Sequence, residues 1–216
     1  MSANRITKSR IKLMLEEPFF GTLLMGMEMI EDPNVPTMCT NGEYIKWSPD
    51  FVKTLSDSEL MAVLAHEVMH VALLHPFRKG TRDHFLFNVA GDHAVNIELE
   101  RHGKFKLPPG CLKDMQYDKM SAEEIYEKLP KDPKGRSALV SMQGSGKSGQ
   151  GKNGQGEGMG IGEFEEPKGG KSEKASAEAK AKVQILQAAQ AAKNKGELPS
   201  DIQRMVDHIL NPKKDW

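Results

Sequence analysis

Apolar residues from Leu60 to Ala65 and from Val71 to Leu74 flank His66-Glu67-Val68-Met69-His70, so three polar groups sit in a segment otherwise apolar almost all round. A helix of that kind is normally buried. Ser56-Asp57-Ser58-Glu59 has the capping-box pattern and predicts the helix start, and Pro76 predicts a stop near His75. Upstream, Ile6, Ile11, Leu13, Met14 and Leu15 alternate with basic residues over positions 4 to 17. They predict an amphipathic helix that lies on the core as a lid and is ended by Pro18. The apolar run Thr22 to Ile30 fits either element and is read as a strand, closed by Asp32-Pro33-Asn34-Val35-Pro36. Residues 37–40 and 43–47 flank Asn41-Gly42, which predicts a tight hairpin with positive φ at both turn residues.

Beyond the histidines, a second long helix is expected from about Arg82 to His102, stopped by Gly103. Ser121-Ala122-Glu123-Glu124 is another capping box opening a short helix through Leu129. From about Ser141 to Lys174 the composition shifts to glycine, lysine, serine, glutamine and glutamate, as in a flexible linker. An alanine-rich helix is expected from Ala175 to Lys195, with Gly196 as its stop, and a last one after Ser200-Asp201 through Leu210. The organisation is therefore a domain over residues 1–130, a linker or insert over 131–174, and C-terminal helices over 175–216.

Residues four apart on a helix lie about 40° from each other, so His66 and His70 present their imidazoles to one point. Burying two histidines and a glutamate without partners would cost several kcal/mol, roughly. A zinc ion removes that cost, and Glu67 can reach a water on its open side. The third ligand is expected from the second helix, where Asn88, Asp92 and Asn96 form a polar stripe at spacing four, extended by Phe85 and Leu99. Asp92 is assigned as the ligand, and Asn96 as a hydrogen-bond partner of one of the ligands. His75 is set aside, because five residues after His70 it points about 140° away on a continuous helix. At the helix end it is favourable as a cation near the last carbonyls. His84 is a weaker alternative ligand. His93, about 100° round from Asp92 on a face with Val89 and Ile97, reads first as a packed histidine.

Thirty basic and thirty acidic residues in 216 leave no net charge, so no global field selects for nucleic acid. No apolar stretch is read as a membrane span, and no signal-peptide core follows Met1, so a cytoplasmic location is expected. Cys39 and Cys111 are too few and too far apart for a disulfide framework or a cysteine zinc site. Gly144-Ser145-Gly146-Lys147-Ser148 imitates a phosphate loop, but Ser141 stands where glycine is required. Gly149 to Gly154 cannot form the helix that must follow, so nucleotide binding is not expected.

Several segments together resemble a metallopeptidase-like family of bacteria and phages, in which an H-E-x-x-H domain precedes a von Willebrand factor A-like domain. The resemblance rests on Thr40-Asn41-Gly42, His66 to Ala72, Asn88 to Asn96, Ser121 to Tyr126 and Lys195 to Pro199. It covers most of residues 10–130 and resumes over 188–216. It also marks Asp92 and Asn96. Phe87 stands where such proteins often have tryptophan and Gly91 where they often have alanine, neither at a proposed ligand. Asp215-Trp216 would lead into the second domain, which this chain does not include.

The expectation is thus an α+β, zincin-like metallopeptidase domain: a small antiparallel or mixed sheet, an HExxH active-site helix and C-terminal helices. His66, His70 and Asp92 hold Zn2+, and Glu67 is the general base and acid in hydrolysis of a protein or peptide substrate. The sheet edge near residues 37–47 is available to pair with an extended peptide. His93, Tyr117 and Tyr126 are the candidates for an oxyanion donor. The rival expectation is a non-catalytic, zinc-stabilised protein-binding module, such as a phage protein acting on a host partner. A closed site with His75, His84 or His93 as a fourth ligand would favour it.

Overall fold

The computed structural model describes residues 2–143, 162–195, 202–204 and 206–207. Helix α1 (Ser2–Glu16) buries Ile6 and Leu13 and leaves Ile11 and Leu15 in solvent, as its period requires. Pro18 then opens a second helix, α2 (Pro18–Met25), at the N-terminal position where its missing N–H costs nothing. The run read as one strand is therefore split. Thr22 to Met25 is helical, Gly26 caps it, and only β1 (Glu28–Glu31) is extended. Tertiary packing decides the matter: Phe19, Phe20, Leu23 and Leu24 are all buried, which suits a helix enclosed by neighbours. Gly21 lets α2 cross α1 closely, since a Cβ there would lie 2.2 Å from the Met14 Cα.

β2 (Met38–Thr40) and β3 (Tyr44–Trp47) form the expected antiparallel pair, with Met38 opposite Trp47 and Thr40 opposite Ile45. Of the two turn residues only Gly42 has positive φ, at 95°. Asn41 works through its side chain instead, its Oδ1 accepting the amides of Glu43 at 2.9 Å and Tyr44 at 3.2 Å. β1 joins β3 in parallel, and β4 (Glu163–Phe164) joins β2 in parallel, giving the order β1-β3-β2-β4. The sheet is small and mixed.

After α3 (Pro49–Thr54), the reciprocal Ser56–Glu59 capping box starts α4 (Asp57–Ala72), in which every residue from Leu60 to Ala72 is buried. Each fully enclosed leucine or valine there contributes roughly 1.5–3 kcal/mol of transfer free energy. By length and composition Asp57–Arg78 would pass for a membrane span, contrary to the sequence expectation, but 89% of its most apolar 18-residue stretch is buried inside the protein. Its apolarity belongs to the core. The helix does not run on to His75. Leu74 takes the left-handed conformation (φ 57°) and the chain restarts as α5 (His75–Arg78). Arg78 stabilises the break by donating from Nη1 to the Leu73 carbonyl at 2.9 Å, while its other nitrogens grip Glu123.

α6 (His84–His102) is capped by the Asp83 carboxylate and ends at Gly103 with φ 77°. α7 (Ala122–Lys128) carries the second capping box. Inside the expected linker, α8 (Pro133–Gln143) is helical and β4 is a strand, because Leu139 and Phe164 find apolar partners around α6 and α7. The Gly-Ser-Gly-Lys-Ser segment and the start of the last predicted helix lie outside the described residues. α9 (Lys171–Asn194) starts four residues before the predicted helix and buries Ala181, Ile185, Ala188, Ala189 and Ala192 against α2 and α4. One apolar cluster unites α1, α2, the sheet, α4 and α9; a second surrounds the outer face of α6. The facing sides of α4 and α6 meet between them.

Candidate metal centre

Where α4 and α6 face each other, His66, His70 and Asp92 converge, all at 1% exposure or less. The two Nε2 atoms are 2.9 Å apart, and Asp92 Oδ1 lies 3.5 Å from His66 Nε2 and 3.2 Å from His70 Nε2. Ligands bound tetrahedrally at 2.0–2.1 Å are about 3.3 Å from one another, so the triangle fits a small divalent cation.

Hydrogen bonds behind the triangle orient it. Asn96 Nδ2 donates to the Leu112 carbonyl at 2.9 Å, which turns Asn96 Oδ1 toward His66 Nδ1, also at 2.9 Å. His66 Nδ1 must then carry the proton, leaving the Nε2 lone pair pointing into the triangle. His70 is treated in the same way by His75, whose Nδ1 is 3.0 Å from His70 Nδ1. Burial above all pushes the His70 pKa down to about 4, although Asp92 pulls it upward. His75 is 1% exposed and is held well below the usual histidine range, first by burial and then by His70 and Arg78. The expected cation at the helix end is therefore a neutral, buried partner of His70. Two lone pairs and a carboxylate whose oxygens accept no hydrogen bond among the described residues are a costly group without a cation.

Glu67 is fully buried, and neither carboxylate oxygen meets a donor among the described residues. Burial raises its pKa well above the usual range, aided by the negative charges of Asp92 and Glu163. Gly162, just before β4, lies over it. A Cβ at Gly162 would be 2.1 Å from Glu67 Oε1 and 2.8 Å from His66 Nε2, so base and triangle border the same small space.

The other residues singled out from sequence divide. Asn88 accepts the Phe164 amide at 3.2 Å, so all three members of the polar stripe are used. His93 packs on Tyr117 with ring centroids 5.0 Å apart, and its Nδ1 has no partner among the described residues. Tyr126 is elsewhere. Its hydroxyl accepts the Asp83 amide at the start of α6, about 13 Å along the axis from Asp92. His84 pairs with Glu163 at 3.2 Å rather than joining the triangle. Sequence reasoning missed Gly162 and Phe164, which sit in a stretch whose composition resembled a linker. It also read the Gly91 departure as touching no proposed ligand, whereas a Cβ there would lie 3.0 Å from His75 Nδ1 and 3.2 Å from His70 Cε1. Glycine at 91 makes room for the histidine pair.

A segment of 115 residues, 50% of this chain, is 27% identical to an uncharacterized protein of Thermotoga maritima and covers 29% of that protein's length. No solved structure matches the chain. A family model described as "Putative metallopeptidase domain" matches residues 2–216, and the chain belongs to that family.

Proposed function

We propose that the chain is a zinc-dependent peptidase of zincin-like fold. The observation that carries the reading is the convergence of two Nε2 lone pairs and one carboxylate at tetrahedral spacing, beside a Glu67 that has no partner among the described residues. His66, His70 and Asp92 would hold the metal. When bound, it supplies Lewis acidity that lowers the pKa of a water and polarises a scissile carbonyl. Glu67 would take a proton from the attacking water and pass it to the departing amine. Asn96 and His75 keep the two imidazoles in the tautomer that offers Nε2. His93, whose Nδ1 has no partner among the described residues and whose ring packs on Tyr117, is the proposed donor to the reaction oxyanion. Tyr126 is not, because its hydroxyl is engaged at the far end of α6.

The test compares two variants by metal analysis and hydrolysis of an unstructured protein substrate. Glu67→Gln retains zinc at the wild-type stoichiometry while the rate falls about 10²–10⁴-fold, and Asp92→Ala loses the metal. Full zinc occupancy in Asp92→Ala would remove that ligand. Undiminished hydrolysis by Glu67→Gln would remove the mechanism. Zinc bound by wild type with no hydrolysis of any peptide would favour the binding-module alternative.

A further inference from the structure

We propose that residues 162–165 occupy the peptide-binding cleft in the manner of a substrate, so the cleft selects an acidic, extended peptide carrying an aromatic residue; this rests on the peptidase reading. The β2 edge nearest the triangle is already paired. Cys39 faces Glu163, Thr40 faces Phe164, and the Glu165 amide donates to the Thr40 carbonyl at 2.7 Å. Main-chain pairing of this kind is how proteins capture extended peptides at a sheet edge.

The side chains add selectivity. Phe164 is fully buried in an aromatic pocket, with ring centroids 5.3 Å from His84, 5.8 Å from Phe87 and 5.7 Å from His70. Flanking carboxylates meet matching donors: Glu163 with His84 at 3.2 Å, Glu165 with Lys46 at 3.0 Å and with the Tyr44 hydroxyl, Glu166 with Lys79 at 2.9 Å. Each of those pairs is partly exposed, so the segment is held by replaceable contacts around one deep anchor.

This arrangement excludes the reaction. Glu67 has no exposure, and a methyl group on Gly162 would already sit 2.1 Å from its Oε1, which leaves no room for a water between base and backbone. A substrate must displace the segment and take over its edge, its aromatic pocket and its Lys46 anchor. Glycine at 162 is what allows the backbone to come so close.

The experiment uses the full chain loaded with zinc and a fluorescent acetyl-Gly-Glu-Phe-Glu peptide, read by polarisation. Gly162→Val prevents the segment from seating, and the peptide then binds at least tenfold tighter than to wild type. Glu165→Ala, at a partly exposed position that threatens the fold less, gives the same direction and speeds zinc removal by a chromophoric chelator at least threefold. Alanine in place of the peptide's phenylalanine weakens binding at least tenfold. Equal peptide affinity in wild type and both variants overturns the proposal, as does equal binding of the alanine peptide. Tighter peptide binding without hydrolysis leaves this inference standing and removes the peptidase reading. Hydrolysis of other proteins with no gain in peptide binding does the reverse.

Discussion

Asn96 touches no reacting group, yet it decides which nitrogen of His66 is available, because its amide is anchored on the Leu112 carbonyl. Asn96→Leu, close in volume, is expected to keep the fold and weaken zinc binding about 10–100-fold, the usual effect of losing such a partner. Competition against a chromophoric chelator measures it, and unchanged affinity would mean that His66 is oriented by packing alone. The stripe Asn88, Asp92 and Asn96 was legible because polar residues four apart on a buried helix must face something polar: Asn88 meets the Phe164 amide, Asn96 meets His66, and Asp92 turns into the triangle. His75 was not legible. Its place behind His70 depends on Leu74 adopting φ 57°, a conformation that costs a residue with a Cβ roughly 1–2 kcal/mol and that nothing in Val71 to Leu74 signals. The cost is met by context: Arg78 secures the Leu73 carbonyl, and Gly91 leaves space for the ring.

Among elements, those with explicit chemical stops were read well. α4 begins at its capping box, α6 ends at Gly103, and α7 follows Ser121. Thr22 to Ile30 was read poorly, because an all-apolar run has no period and its identity is settled by neighbours. There, backbone proximity is the deciding feature. A Cβ at Gly21 would meet the Met14 Cα at 2.2 Å and the Leu13 carbonyl carbon at 2.8 Å, and backbone cannot rotate aside as a side chain can. Gly21→Ala is therefore expected to destabilise the protein by about 1–3 kcal/mol or more, despite alanine's better helix propensity. Urea denaturation checks it; a midpoint equal to or above wild type would show that α1 and α2 separate at little cost.

For the whole molecule, the metal triangle joins α4, rooted in the larger apolar cluster, to α6, rooted in the smaller. A metal bound there would stabilise the folded chain by about 4 kcal/mol at a thousandfold excess over the dissociation constant. Zinc should raise the thermal midpoint by several degrees in wild type and leave Asp92→Ala unmoved; an equal rise in both would place the bound metal elsewhere. Composition could not reveal that β4, inside the stretch expected to be a linker, returns to the sheet. Cys39 and the Glu165 it contacts are 126 positions apart. Closing so long a loop is entropically slow to be repaid, and a chain made from its N-terminus delivers His66, His70 and Asp92 well before Gly162. The order of synthesis would therefore leave the His66–His70–Asp92 triangle open to an incoming metal ion until the last strand shuts the door.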